Sequence, residues 1–396
     1  MSNKKSGLKK LYNWHAWVGF QLALLMFVVL ATGTIATLSN EIDWLIFPEL
    51  RSSEKPDDAP AAMGIEEWVA TYQSIHSAYP DTEITSIVQL DSEYLSTRAV
   101  LKSDALHNRF VQIDPWTHEI KGDMPRLTVQ RFFRDFHRYL FMSAFPGLLI
   151  VGPLSIVLLI SIYTGLKTTR NWRKALWRIR FDQGKRILLS DLHKVMGLWG
   201  IWFSILMAVT GAWYFYEFGN AIAQSPIEPK GPKIEQLETE KPIIFSVDEF
   251  RKIVTKAYDT HENWEITALF MPTSNTAPIQ LRGVSKNNPV IRNRALRVYI
   301  HPETFDVVEA WSPDTISTQA YINEYADPLH FGDFGGFWLK LLWFVFGIAL
   351  TAMSFTGVLM TWKRTGMSTL TKVQKRTLPI LLLSVVFFCF YVPNYL

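Results

Sequence analysis

Two histidines recur in the same setting. His15 is followed four residues later by Gly19 and seventeen residues later by Thr32-Gly33, and His193 is followed by Gly197 and Thr210-Gly211 at the same spacings. A second matched pair lies further along. Phe136-His137-Arg138 precedes a break at Pro146-Gly147, and Pro328-Leu329-His330-Phe331 precedes one at Gly332, Gly335 and Gly336. Each break opens an apolar run ending in Thr-Gly, at Thr164-Gly165, 27 residues past His137, and at Thr356-Gly357, 26 past His330. Imidazole titrates near neutral pH and is a common metal ligand. Paired imidazoles at membrane depth therefore offer three chemistries: a zinc site, a proton relay or axial ligation of a haem.

The elements that must position these histidines are apolar helices. The chain has 396 residues, 48% of them hydrophobic and 14% aromatic. Its apolar residues gather in blocks near 15–38, 147–166, 194–216, 337–362 and 378–393. About 20 helical residues cross a hydrocarbon core. The first four blocks are long enough to span, and the fifth is marginal. The first block is too long for a typical signal-peptide core and reads as an uncleaved anchor.

Charge orients the spans. Residues 1–14 carry four lysines and no acid, 167–191 has eight bases against two acids, and 363–376 has five bases and no acid. The long connections are the reverse, with 17 acids to 9 bases in 39–136 and 17 to 11 in 217–333. Lys and Arg near span ends mark the cytoplasmic side, so the basic segments read as inside and the acidic ones as outside. Topology and anionic lipid account for the basic runs without any nucleic acid. The one cysteine, Cys389, excludes an intrachain disulfide framework and any Cys-based zinc or iron–sulfur site within one chain.

The two outer segments repeat each other. Each reads as a proline-containing link, a helix (Gly64–Tyr79; Val247–Tyr258), then strands. The strands are Glu83–Leu90, Tyr94–Lys102 and Arg109–Ile113 in one, and Glu265–Met271, Pro278–Gly283 and Ala295–Ile300 in the other. The links are Lys55-Pro56-Asp57-Asp58-Ala59-Pro60 and a run containing Pro226, Pro229 and Pro232. Turns at Asp114-Pro115-Trp116-Thr117 and His301-Pro302-Glu303-Thr304 follow, then helices Leu127–Tyr139 and Thr318–Phe331. The chain is thus helix, outer unit, helix, twice over, plus a C-terminal segment. Each repeat carries two spans, so both insert the same way up, related by an axis along the membrane normal. That symmetry sets His15 opposite His193 on the inner side and His137 opposite His330 on the outer side. The other histidines, His76, His107, His118, His261 and His301, lack a matching partner and read as surface or turn residues.

Of the three chemistries, haem fits these pairs best. Zinc prefers four ligands, and no acid stands beside His15. Two facing helices each supply one axial imidazole to a non-covalent b-type haem. Gly19 and Gly197 lie one turn past their histidines on the same face and leave room for a flat macrocycle. Arg138 and Lys194 directly follow ligand positions. They are placed to neutralise haem propionates, or equally to act as interfacial cations whose stems snorkel. Two haems at different depths would form an electron path across the bilayer.

In the combination of His15-Ala-Trp-Val-Gly19, Phe136-His137-Arg138, Asp191-Leu192-His193-Lys194, Pro328-Leu329-His330-Phe331-Gly332 and the Thr-Gly motifs, residues 8–365 resemble the PepSY-associated transmembrane family. Within it, the chain resembles the iron-regulated ferric-siderophore reductases of bacterial inner membranes. The resemblance implies two small α+β PepSY-like periplasmic domains, two haem b groups, and reduction of Fe(III) in a siderophore to release Fe(II). Both turns depart from the family's D-P-x-T-G pattern, with His118 and Phe305 at the glycine position.

The expected architecture is a membrane α-helical bundle of four core spans plus a fifth, marginal one, built as a parallel internal repeat. The expected boundaries are a cytoplasmic segment and first span over 1–38, a first outer domain over 39–136, and a second span over 137–166 with its preceding interfacial helix. A basic loop over 167–191, a third span over 192–216 and a second outer domain over 217–329 follow. A fourth span over 330–362, a loop over 363–377 and the last segment over 378–396 complete it. No dinucleotide fingerprint follows a strand, so electrons are expected from an external donor, a quinone-linked one or a cytoplasmic reductase. The expected substrate is a ferric siderophore docked between the outer units. Two alternatives stand beside this reading: a non-redox PepSY receptor, and a general haem conduit to another periplasmic acceptor.

Overall fold

The computed structural model describes every residue except 1, 58–61, 91, 104–107, 170, 229, 238–243, 289, 293, 366 and 392–396. His107, Pro229 and the Asp58-Ala59-Pro60 part of the first link therefore lie outside the described residues.

Helices α1 (Ser2–Gln21), α2 (Ala23–Thr37) and α3 (Ser39–Ile46) lead into a first α+β unit. This unit comprises α4 (Ile65–Ala78), β1 (Ile84–Gln89), β2 (Thr97–Leu101), β3 (Arg109–Ile113) and β4 (Ile120–Met124). Next come α5 (Val129–Tyr139), α6 (Ala144–Val151), α7 (Leu154–Thr168), α8 (Trp172–Ala175), α9 (Lys185–Trp199) and α10 (Ile201–Ile222). The second α+β unit has α11 (Val247–Tyr258), β5 (Trp264–Phe270), β6 (Ile279–Ser285), β7 (Leu296–Ile300) and β8 (Val307–Trp311). After it come α12 (Thr318–Phe331), α13 (Gly336–Thr365) and α14 (Met367–Tyr391).

Among the described residues, two stretches are long and apolar enough to cross a membrane as single helices, Ala144–Thr168 and Gly336–Lys363. Two bent pairs raise the number to four if each is one span: Leu24–Thr37 with Ser39–Ile46, bent by 57°, and Lys185–Trp199 with Ile201–Ile222, bent by 67°. The apolar runs expected as straight spans near 15–38 and 192–216 are therefore interrupted. The first breaks at Leu22 and again at Leu38, the other at Gly200. Neither run contains a proline, so no missing N–H accounts for the bends, and the second falls at Gly200. The C-terminal apolar stretch is shorter, Thr377–Phe390, and Phe388 stacks edge-on against Phe132 of α5.

The two α+β units, expected as separate small domains, join edge to edge. Their strands form one antiparallel sheet in the order β4-β3-β2-β1-β5-β6-β7-β8. The seam is β1 with β5, registered at Ile87 opposite Leu269. Unpaired, each of these strands would leave an open edge of N–H and C=O groups, and pairing them removes both edges. Strand alternation puts Ala99, Leu101, Leu281, Val298 and Ile300 on one buried face, against Trp68, Tyr72, Phe250 and Val254 of α4 and α11. The rings of Tyr72 and Phe250 stack 4.0 Å apart. Each unit also reaches into the other. The Tyr72 hydroxyl donates to Phe245 O, and that of Tyr258 to Met63 O.

The two turns show how a departure from the D-P-x-T-G pattern is accommodated. His118 and Phe305 sit at φ 58° and 62°, the left-handed region that glycine adopts without strain. Around them the turn is held by a side-chain acceptor. Asp114 Oδ1 accepts from the N–H groups of Trp116 and Thr117, and Oδ2 from Ser53 N at 2.6 Å. In the second unit His301 Nδ1 takes the same place, accepting from Glu303 N and Thr304 N. Burial raises the Asp114 carboxyl, but the donors on Thr117, Ser53 and Trp116 outweigh it and hold the pKa below 3.8. A depressed carboxylate contributes stability that is complete above its unfolded value and is lost as pH falls through the native one. Asp114→Ala is therefore expected to destabilise the sheet by about 1–3 kcal/mol at neutral pH. Acid titration of sheet unfolding should show that deficit shrinking below pH 3.8. A deficit that grew on acidification would contradict the assignment.

Candidate functional site

The fold brings the four repeated histidines together as two pairs. His15 on α1 faces His193 on α9, with ring centroids 6.4 Å apart and planes at 73°. His137 on α5 faces His330 on α12, at 6.2 Å and 42°. The second pair is sheet-proximal, since α5 and α12 follow the edge strands β4 and β8. The Trp343 indole donates to Leu329 O beside this pair. Thr356, which holds His193, lies 13 residues further along α13, about 20 Å of helical rise. The pairs therefore sit at two clearly different depths.

Every one of these rings has its Nδ1 engaged. His15 Nδ1 lies 3.0 Å from Thr164 Oγ1, His193 Nδ1 3.1 Å from Thr356 Oγ1, and His330 Nδ1 2.8 Å from Thr210 Oγ1. Each threonine hydroxyl also reaches a helix carbonyl: Thr164 to Ile160 O, Thr356 to Met353 O, Thr210 to Leu206 O. A hydroxyl that gives its one proton to that carbonyl offers the histidine a lone pair, which favours the tautomer with its hydrogen on Nδ1. His137 reaches the same state by donating to Val29 O at 2.8 Å. Among the described residues no Nε2 of the four has a protein partner. Two imidazoles of this tautomer cannot hydrogen-bond to each other through Nε2, because both offer a lone pair. Such a pair suits an electrophile between the rings.

The spacing suits a metal. With Nε2 about 2 Å from an ion on either side, two imidazole centroids stand about 6–6.5 Å apart, the separation seen in both pairs. Among the described residues no group of three or more His, Cys, Asp or Glu is placed to hold an ion. His15 with His193, and His137 with His330, are the residues that would hold a haem, whose macrocycle would supply the remaining ligands. An Nδ1–H engaged by a hydroxyl or carbonyl is also the usual outer support of a metal-bound histidine.

Of the two glycines expected beside the rings, Gly197 has no open space next to it. Met353 covers Gly197, with its Cε 3.0 Å from where a Cβ would stand, because this face of α9 packs on α13. The surroundings of Gly19 lie outside what is described. Three of the four Thr-Gly glycines lie against the rings, while Gly211 faces Ser155. A Cβ on Gly165 would meet His15 Cε1 at 3.3 Å, one on Gly357 would meet His193 Cε1 at 3.5 Å, and one on Gly33 would meet His137 Cε1 at 2.6 Å. Lys194 stands 4.0 Å from Asp191, a buried carboxylate already held by Arg180. Arg138 lies 5.0 Å over the ring of Tyr139. Among the described residues neither cation hydrogen-bonds a histidine ring, though each lies close enough to act on one electrostatically.

The family model for the PepSY-associated TM region matches residues 12–364. The chain belongs to this family. It is also 39% identical over 79 residues to PA4219, an uncharacterized protein of Pseudomonas aeruginosa; the match covers 20% of either chain. The chain thus spans about a fifth of that relative's length. The other described histidines of this PepSY-associated protein stay apart from the pairs. His76 stacks on Tyr72, His118 approaches Thr71, His261 packs on Trp264, and His301 holds its turn. Sequence reasoning missed the threonines. Thr164, Thr210 and Thr356 were visible as repeats, but read as markers of helix ends.

Proposed function

We propose that the protein is a haem-containing oxidoreductase of the bacterial inner membrane that delivers electrons to a periplasmic ferric siderophore. His15 with His193, and His137 with His330, would each hold one haem b through Nε2. When bound, each haem would supply a one-electron Fe(III)/Fe(II) couple. The observation carrying the reading is the two histidine pairs at metal spacing, each with Nδ1 engaged and, among the described residues, no protein partner at Nε2. The protein's own part is to fix the four rings, space the two sites along α13 and exclude water from them. Charge asymmetry supports a cytoplasmic N-terminus, four core spans in a parallel repeat, and the joined sheet outside. The C-terminal segment would then lie as a fifth span or along the interface. Electrons enter from a quinol or a cytoplasmic reductase; a quinol releases two electrons and two protons and so matches two Fe(III). Reduction favours release because hard oxygen chelators hold Fe(II) less tightly.

The absorption spectrum and haem stoichiometry of the purified protein test this. Two haems per chain, oxidised on adding a ferric siderophore, are expected. A colourless protein would sink the proposal and favour a binding role, while equal oxidation by unrelated acceptors would leave a general conduit. Thr356→Val is expected to weaken binding of the haem at His193 by about 10–100-fold and to raise its midpoint potential, since Nδ1 loses its acceptor. Thr356→Ser should restore both in a redox titration.

A further inference from the structure

The first broken span carries two acids that its counterpart lacks. The repeat that equates His15 with His193 and Thr32 with Thr210 also equates Leu22 with Gly200 and Leu38 with Tyr216. The helix breaks at both members of the first pair. At the second pair only the first copy breaks. There α2 ends at Thr37 and α3 leaves at 57°, whereas α10 runs on through Tyr216 to Ile222. By the same equivalence Glu41 and Asp43 of α3 correspond to Gly219 and Ala221, so the repeat requires neither carboxylate.

Helix α3 uses both acids to reach other helices. Asp43 is 2% exposed, and its oxygens accept from Val129 N at 2.7 Å and Gln130 N at 2.9 Å. Thr128 Oγ1 takes Arg131 N, so the first three N–H groups of α5 all have acceptors, and a carboxylate at that end suits the helix dipole. The far end of α5 carries His137, held to Val29 O of α2. Glu41 accepts from Lys340 Nζ at 3.0 Å and from the Tyr94 hydroxyl at 2.8 Å. Lys340 is 5% exposed and lies near the start of α13. Trp343, one turn on, donates to Leu329 O and lays its ring against Gly332, on either side of His330. The contacts thus run from His137 along α5 to α3, across the Lys340 pair to α13, and through Trp343 to His330. The second copy is held otherwise. Ser317 caps α12 at Ala320 N, and α10 grips α12 side-on through Trp213 with Asn323 and Tyr214 with Asp327.

Resting on the reading of the two pairs as haem ligands, we infer that Asp43 and Glu41 are positioning residues that set, through α3, the distance and angle between His137 and His330. A capping bond alone would only steady α5, and a buried ion pair adds little net stability over an apolar contact of the same shape. Together they fix one register of α5 against α13. The two pairs differ in ring angle, 42° against 73°. The anisotropy of a low-spin haem's electron paramagnetic resonance signal follows that angle, so the two signals are separable. They are recorded on the haem-loaded protein in nanodiscs, with haem transfer to apomyoglobin as a second readout. Asp43→Ala should shift only the signal of the sheet-proximal haem and speed its transfer about tenfold. Asp43→Asn, which keeps an acceptor for α5, should restore most of both. Glu41→Gln combined with Lys340→Met removes the ion pair without stranding a charge and should shift the same signal. An unmoved signal in Asp43→Ala or in the double variant would overturn the inference and leave the two-haem reading intact. Equal changes in both haems, with no rescue by Asp43→Asn, would also overturn it, since they would mark general support of the fold. A colourless unaltered protein would overturn both.

Discussion

Replacing His193 with alanine is expected, on the proposed two-haem reading, to lower bound haem from two per chain to about one. The two pairs share no ligand and lie at different levels of α13. Losing one ring should therefore empty one site and spare the other. His15 would remain, still in contact with Thr164, but one imidazole alone would hold a haem less tightly. Any haem that stays should change from a six-coordinate low-spin to a five-coordinate high-spin spectrum. His137→Ala should remove the other haem and leave the His15–His193 spectrum intact. His261→Ala, which alters a ring packed on Trp264 away from both pairs, should change neither. Haem-to-protein ratio and electron paramagnetic resonance read these outcomes. Two unaltered haems in His193→Ala would remove the pairing from the proposal. Loss of both, with the sheet still folded, would show that the two sites assemble together.

The histidines were legible in the sequence because each repeat places them at fixed helical spacings from Thr-Gly. Local spacing does not show what the threonine touches. His15 and Thr164 are 149 residues apart, and His193 and Thr356 are 163 apart. A helical threonine that satisfies its hydroxyl on a carbonyl one turn back looks complete. Its spare lone pair acquires meaning only when another helix arrives. The repeat is also inexact in a way that spacing hides. Thr210 accepts from His330, but Thr32, its counterpart, donates to Val28 O and Val29 O, and His137 takes Val29 O directly.

The sheet was legible strand by strand but not as a whole. Alternation in Thr97–Leu101 shows which side is buried, and the same period appears in β6. It carries no record of which edge meets which. Each unit has two edges, and only the assembled repeats show that β1 meets β5 while β4 and β8 stay at the ends. The bend at Gly200 was hidden for a different reason: hydropathy runs through it unchanged.

Gly33→Ala is expected to displace His137 and release the sheet-proximal haem, whereas Gly357→Ala should leave its neighbouring site loaded. Both glycines lie beside a histidine ring in a Thr-Gly pair, yet the distances differ decisively. At Gly33 a Cβ would stand 2.6 Å from His137 Cε1 and 2.7 Å from Nδ1. The ring cannot retreat without breaking its 2.8 Å hydrogen bond to Val29 O. At Gly357 the Cβ would meet His193 Cε1 at 3.5 Å, an ordinary contact. Alanine is favoured over glycine inside a helix by about 1 kcal/mol, so Gly357→Ala should slightly stabilise α13. Gly33→Ala gains the same helix term, but the forced shift of a packed side chain costs about 1–3 kcal/mol and misplaces a ligand. Haem content after purification, with thermal unfolding of the sheet as a folding control, distinguishes the two variants. A Gly33→Ala protein with two haems and an unchanged spectrum would mean that His137 is free to move. The Val29 carbonyl would then not be what fixes it.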